Sequence, residues 1–324
     1  MKTFIFEQLF QGGLITEEKF KNIEEKETKK PIPLHTELKL MMYAGIVLLT
    51  TGLGIVVYNN MDNLSRLTIV LAVAIATVFC FVYCLIKSAR FSTRQSSTPT
   101  LIQDYTLLLG CILLLILTGY LQFEFNIFGD RWGMATFVPM VVLFVSAYYF
   151  DHLGVLSMAI VNMAGWAGIS VTPKHLLRNN DFNDSTIIYT ALVLGLLLLF
   201  VAYISAKKDF KAHFSFTYKN FGVQILFIAA NAAIIYFQRY EVGWLIFLAG
   251  ICFWQFSIAR NEKSFYFLTI TILYFYFGLS YVVIRNLFKF SWGEGSLYVA
   301  FFYFIITAIL AATVLMRFNK IFKK

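Results

Sequence analysis

Residues 67–86 read LTIVLAVAIATVFCFVYCLI, a run that contains no charged side chain. An α-helix needs about 20 predominantly apolar residues to cross a hydrocarbon core of about 30 Å. The run therefore predicts one transmembrane helix. The whole chain of 324 residues has the same character, since 59% of its residues are hydrophobic and only 14% are charged. Soluble domains contain about 25% charged residues, so the composition indicates an integral membrane protein.

Ten such apolar blocks follow one another, and they predict an all-α, polytopic bundle of about ten transmembrane helices. Only Asp151 and His152 separate the fourth block from the fifth, so this pair predicts either a tight hairpin or one re-entrant element. The blocks comprise residues 40–58, 67–86, 105–121, 132–150, 153–171, 186–206, 221–237, 242–259, 265–284 and 296–316.

The residues before the first block are polar, which predicts two domains: a head and tether at 1–38 and a transmembrane helical domain at 39–324. Thr16 is a candidate N-cap and Pro31 ends the helical pattern, so the head is expected to be a small cytoplasmic helical hairpin. The start lacks the apolar region and cleavage site of a secretory signal. The head is a candidate docking site for a protein partner, and a solvated segment without a partner is the alternative.

Lys and Arg side chains are distributed unequally between the two sets of loops. With the N-terminus inside, the inner loops and the C-terminal tail hold roughly twice as many of them as the outer loops. This excess predicts that both termini are cytoplasmic. The net charge of +9 does not indicate a nucleic-acid partner, because the basic residues lie at the ends of apolar blocks and form no patch with interleaved aromatics. The expected partner is the lipid bilayer.

Residues 118–134, TGYLQFEFNIFGDRWGM, place polar and charged side chains between two apolar blocks. On the predicted outer side, water would solvate the charges and Trp132 would lie in the interfacial zone that tryptophan prefers. The segment is therefore predicted to be a surface turn, with a catalytic or transport site as the alternative. The candidate outer-surface polar residues are Gln122, Glu124, Asp130 and Asp62.

Four amide side chains lie within the apolar blocks, and each is a functional candidate because a polar group in hydrocarbon is costly. Gln224 and Asn231 are seven residues apart on one helix face and are candidates for lining a substrate path. Asn162 and Gln255 complete the candidate set. Hydrogen bonds between neighbouring helices are the alternative role for all four.

Motifs that would identify an enzyme are missing from the sequence. It contains no phosphate loop, no Gly-x-Ser-x-Gly elbow and no His-x-x-x-His pair. Cys80 and Cys84 share a helix face, but no histidine or third cysteine accompanies them, so neither a metal site nor a cofactor is predicted. A membrane-embedded transferase would require outer carboxylates that converge beside a groove.

Three segments resemble the predicted membrane proteins of domain-of-unknown-function family 2157. They are LFQGGLITEEKF at 9–20, GIVLLTTGLGIVVYNNMDNLSR at 45–66, and LLLGCILLLILTGYLQFEFNIFGDRWGM at 107–134. The resemblance covers roughly residues 8–170. It implies a polytopic protein of the bacterial inner membrane and implies no activity.

Three classes of function therefore stay open. The favoured class is a non-enzymatic accessory or scaffold component of a membrane complex or envelope process, with the head as its docking element. The second class is a transporter or lipid flippase that uses the face of Gln224 and Asn231. The third is the membrane-embedded transferase.

Overall fold

The computed structural model describes residues 34–59, 63–88, 101–171, 185–261, 264–289 and 295–323. Residues 1–33, which make up most of the predicted head, lie outside these ranges, and so does Asp62. Every regular element in the described ranges is helical, with ten α-helices and one 3-10 turn at Gln238–Tyr240. The prediction of an all-α polytopic bundle is confirmed.

Each predicted apolar block corresponds to one helix, in the same order along the chain. The helices are α1 (Leu34–Asn59), α2 (Asn63–Lys87), α3 (Leu101–Phe125), α4 (Trp132–Phe150), α5 (Leu153–Val171), α6 (Ser185–Lys207), α7 (Phe214–Tyr236), α8 (Glu241–Asn261), α9 (Phe265–Lys289) and α10 (Gly295–Lys323).

Nine of the described helices are long and apolar enough to cross a bilayer, from Leu67–Lys87 in α2 to Leu297–Phe318 in α10. The shortest contain 19 residues, which span about 28 Å at 1.5 Å per residue. Helix α1 covers the first predicted block, but its described apolar part, Met41–Gly52, is shorter than a full span. The chain is thus a multi-pass membrane protein, and the tenth span stays a prediction.

The predicted start of α7 differs by seven residues from the observed one. The apolar pattern predicts a start at residue 221, whereas α7 begins at Phe214. The prediction is wrong because Lys219 and Asn220 interrupt the pattern. In the structure Lys219 Nζ lies 4.8 Å from the centre of the Phe267 ring. Asn220 Oδ1 accepts a hydrogen bond of 2.7 Å from the hydroxyl of Tyr266, so both polar side chains are accommodated within the helix.

The fourth and fifth blocks form two helices, α4 and α5, that pack against each other and are both candidate spans. Asp151 ends α4 with a left-handed backbone (φ 59°), and the N–H groups of Asp151 and His152 both bond to the carbonyl of Ala147. His152 Nδ1 accepts the N–H of Val155 at 3.1 Å and thereby caps α5. Two residues suffice to reverse the chain, which favours the hairpin over the re-entrant element.

The chain divides into two compact units, Met1–Ala72 and Val73–Lys324. This division falls inside α2, and the domain boundary predicted after residue 38 stays a prediction. In the first unit, the hydroxyl of Thr50 donates a hydrogen bond of 2.8 Å to the carbonyl of Ile46, one turn earlier in α1. Such a bond satisfies a hydroxyl that has no water to bond to inside hydrocarbon.

In the second unit α7 is the central helix, because it packs against α5, α6, α8 and α9. Buried residues make up 56% of its candidate span, compared with 6% for α10. The positions of the surrounding helices therefore depend on α7. Its apolar contacts include Val223, Phe227, Ala230 and Ile234 of α7 with Leu248 and Cys252 of α8 and Val282 of α9.

Helices α6 and α7 approach each other closely at two glycines. A Cβ atom at Gly222 would lie 3.1 Å from the carbonyl oxygen of Gly195, and a Cβ atom at Gly195 would lie 3.1 Å from the carbonyl oxygen of Gly222. Backbone atoms within a helix cannot move aside as the end of a flexible side chain can. Small residues permit such close packing of membrane helices, so this contact depends on both glycines.

We expect Gly222→Ala to lower the stability of the protein by about 1–3 kcal/mol, the usual cost of overpacking. Gly250→Ala in α8 is the matched control, because a Cβ atom there would meet no atom within 4 Å. Thermal unfolding of both purified variants in detergent measures the difference. Equal melting temperatures would contradict the close contact between α6 and α7.

Candidate functional site

A buried ionic cluster joins the turn between α4 and α5 to the turn between α6 and α7. Asp151 Oδ1 lies 2.7 Å from Lys211 Nζ and 2.7 Å from His213 Nε2. The exposed fraction of the side chain is 5% for Asp151 and 1% for Lys211. Water is therefore largely excluded from this ion pair, and His213 is its more exposed member at 18%.

The turn between α6 and α7 directs Lys211 toward Asp151. Asp209 and Lys211 both adopt positive φ angles, of 53° and 50°. Ser205 Oγ lies 2.9 Å from the carbonyl oxygen of Phe210 and 3.1 Å from that of Lys211, so this hydroxyl fixes the turn. Removing one partner of a buried ion pair costs about 3–5 kcal/mol. The Lys211–Asp151 pair can therefore tie the two turns together, but its burial leaves little access for a substrate.

His152 extends the cluster to α3. Its Nε2 atom lies 3.8 Å from Asp104 Oδ1 in the first turn of α3. Because Nδ1 accepts the N–H of Val155, the proton of the neutral ring is on Nε2 and faces Asp104. The cluster therefore lies on one side of the bundle, where α3, α5 and α7 start and α4 and α6 end. This is the arrangement expected for helices that alternate in direction.

Sequence reasoning did not identify this cluster. Asp151 and His152 are neighbours that contact different partners, and the partners of Asp151 come about 60 positions later in the chain. The order of the turns along the chain was the one feature of the sequence that pointed to this cluster. Alternating spans bring every second turn to the same side, and three of the segments on this side contain an acid, a lysine or a histidine.

The two amides predicted to share a face of α7 both contact α9. Gln224 Nε2 donates to Asn220 Oδ1 at 2.9 Å and lies 3.2 Å from the hydroxyl of Tyr266. Asn231 Nδ2 donates to the carbonyl of Phe227 at 2.9 Å and lies 3.4 Å from that of Tyr274. Both side chains thus form hydrogen bonds within α7 and toward α9. Hydrogen bonding between neighbouring helices was the alternative to lining a substrate path.

The other two predicted amides lie elsewhere. Asn162 of α5 donates a hydrogen bond of 2.9 Å to the carbonyl of Thr136 in α4. Gln255 of α8 is fully buried, and neither polar atom of its amide has a hydrogen-bond partner among the described residues. Of the four candidate path residues, Asn231 is the one that lines a pocket described below. The described structure therefore does not bring the four together.

Residues 118–134 contain an ordered turn between α3 and α4 that Gln122 organises. Gln122 is 1% exposed, and its Nε2 atom donates to Asn126 Oδ1 at 3.0 Å and to the carbonyl of Gly129 at 2.8 Å. Its Oε1 atom accepts the N–H of Phe128 at 3.0 Å. Among the other candidates, Asp130 is exposed, Glu124 is half-buried and Asp62 lies outside the described residues.

We expect Gln122→Ala to lower the stability by about 1–3 kcal/mol, because it leaves buried turn groups without hydrogen bonds. Asp130→Ala is the matched control, since Asp130 lies on the same turn and is exposed. Melting temperatures in detergent or lipid compare the two variants. A loss of stability in Asp130→Ala as large as that in Gln122→Ala would contradict the role given to Gln122.

A second polar cluster surrounds Glu241 at the start of α8. Arg285 Nη1 lies 2.8 Å from Glu241 Oε2, and Asn286 Nδ2 donates to Oε1 at 3.1 Å. Arg285 Nη2 donates to Gln238, and Lys289 Nζ lies 3.6 Å from Glu241 Oε1. Two cations thus share one carboxylate in the described part of this cluster, which leaves a surplus of positive charge.

An open apolar groove runs from this cluster along α9, between α7 and α10. It comprises two adjoining pockets of about 590 Å³ and 340 Å³ that share Phe277, Ser280 and Phe304. Arg285 lines the smaller pocket and Asn231 the larger one. We call this feature the α9 groove; its other lining residues include Ile228, Ala232, Leu273 and Ile284.

The described residues contain no group of three or more His, Cys, Asp or Glu side chains that could hold a metal ion. The thiols of Cys80, Cys84, Cys111 and Cys252 are buried and form no disulfide with one another. Cys84 Sγ lies 3.8 Å from the carbonyl oxygen of Gln103, and Cys252 Sγ lies 3.9 Å from that of Thr271. Glu241 is bound by Asn286 and by Arg285, which lines the α9 groove.

Comparison with protein families matches residues 7–156 to a family described as predicted membrane protein (DUF2157). This match confirms the resemblance seen in the sequence, and it ends within the first turn of α5. No curated protein matches the chain. No solved structure matches it either. Helices α6 to α10, with the α9 groove, lie beyond the matched residues.

Proposed function

We propose that this multi-pass membrane protein is a non-enzymatic accessory or scaffold component of a membrane complex or envelope process. The observation that supports this proposal most is that the polar side chains within the helices form structural hydrogen bonds. Gln122 holds a turn, Asn162 joins α5 to α4, and Gln224 and Asn231 bond within α7 and toward α9. A substrate path or an active site would instead bring such groups together around one cavity.

The proposed location is the bacterial inner membrane, with both termini in the cytoplasm. The unequal distribution of Lys and Arg supports this orientation, and the shared end of the Asp104, Asp151 and Lys211 cluster is compatible with it. Reporter fusions after Lys208 and at the C-terminus test the orientation, and a periplasmic signal from either fusion would contradict it.

The docking element in this proposal is the polar head. Because α1 begins at Leu34, deletion of residues 1–33 removes most of the head without shortening that helix. We expect the deletion to remove specific partners from those recovered by crosslinking in native membranes followed by purification. The matched control keeps the length and composition of residues 1–33 but scrambles their order, and it should lose the same partners. An identical partner set for the deletion and the intact chain would contradict a docking role.

A lipid flippase is the second candidate, and the α9 groove is the observation that favours it. The groove is apolar and open along its length, as a path for an acyl chain must be. Purified protein in vesicles that contain a fluorescent lipid separates the two functions. The accessory role predicts transfer of this lipid between leaflets no faster than in protein-free vesicles, and faster transfer would support the flippase.

A further inference from the structure

We propose that the α9 groove holds one acyl chain of an anionic phospholipid, whose phosphate is bound by Arg285 and Lys289. This site is independent of the accessory role, since lipid binding requires neither a partner protein nor transfer between leaflets. The groove lies entirely within the second compact unit and beyond the residues matched to a known family.

The walls of the groove suit a hydrocarbon chain. Ile228, Leu273 and Phe277 are large apolar residues whose side chains are more than half exposed, so they present open apolar surface along the groove. Two of the hydroxyls in the wall are already engaged, because Ser280 Oγ lies 3.2 Å from the Tyr303 hydroxyl, and the Tyr276 hydroxyl lies 3.0 Å from Thr307 Oγ1. An acyl chain needs no hydrogen-bond partner from the wall, so the apolar residues alone suffice to hold it.

The length of the groove corresponds to one leaflet. Its lining follows α9 from Leu273 to Arg285, a distance of about 18 Å at 1.5 Å per residue. One leaflet occupies half of a hydrocarbon core of about 30 Å, or about 15 Å. The apolar part of the groove therefore extends from near the centre of the membrane to the level at which phospholipid phosphates lie.

The charged end of the groove determines which headgroup fits. Arg285 and Lys289 are both close to Glu241, so the described cluster has one more positive charge than negative charge. Arg285 lines the groove while bonded to Glu241 and Gln238, and a guanidinium has five N–H donors, more than these two bonds use. Lys289 is 49% exposed, so its ammonium group can turn toward a phosphate. The surplus charge favours a lipid with net negative charge.

Native mass spectrometry of the purified protein tests the proposal with phosphatidylglycerol and phosphatidylcholine that have identical acyl chains. We expect one tightly retained lipid per chain and a preference for phosphatidylglycerol. Lys289→Gln should weaken phosphatidylglycerol binding about fivefold, since a basic residue contributes about 1 kcal/mol to attraction of anionic lipids. It should weaken phosphatidylcholine binding less, because the choline cation offsets the charge of the phosphate in that lipid. Arg131→Gln is the charge-matched control, because Arg131 is exposed on the α3–α4 turn, and it should leave both affinities unchanged.

A separate variant tests the part of the α9 groove that would hold the acyl chain. Ala232 lines the groove, so Ala232→Phe should fill it and abolish retention of both lipids while the lipid-free melting temperature stays near that of the parent. If that variant does not fold, Ile228→Trp replaces it, because Ile228 is 54% exposed and also lines the groove. Unchanged lipid retention in the folded groove-filling variant would overturn the proposal. Equal affinity for the two lipids, or an equal effect of Lys289→Gln and Arg131→Gln, would overturn the assignment of the phosphate site.

Discussion

A polar group that is buried away from water, in hydrocarbon or inside the protein, must find its partner within the protein. This constraint explains the buried polar contacts of several described residues. Gln122 uses both ends of its amide to close a turn, and Asn162 reaches from α5 to a carbonyl of α4. One carboxylate oxygen of Asp151 contacts both Lys211 and His213. Gln255 is an exception, because its amide has no partner among the described residues.

The apolar contacts complement this arrangement. Because α7 packs against four helices, it contains the small residue Gly222 at its close contact with α6, and large side chains such as Phe227 fill the space around it. Helix α10 has few such contacts and packs against α9. The α9 groove lies where this sparsely packed helix leaves one side of α9 and α7 uncovered, and polar bonds such as that between Ser280 and Tyr303 connect α9 to α10.

Hydrophobic blocks in the sequence were sufficient to predict the helices, since a span must be long and apolar to cross a bilayer. The spacing of seven also predicted that Gln224 and Asn231 share one face of α7, and in the structure both side chains contact α9. The start of α7 was predicted wrongly, because aromatic and hydrogen-bonding partners from α9 accommodate Lys219 and Asn220. Pairs such as Asp151 with Lys211 could not be read from local patterns, because they depend on which turns meet in space.

A double-mutant cycle on Asp151 and Lys211 tests most directly the claim that buried polar groups are held by partners within the protein. Asp151→Asn retains a residue that tolerates the left-handed backbone at this position, and Lys211→Met retains the length of the side chain without its charge. The account predicts that each single change lowers the melting temperature in detergent, and that the double variant recovers part of the combined loss because no uncompensated charge of this pair stays buried. A double variant whose loss equals the sum of the single losses would contradict it.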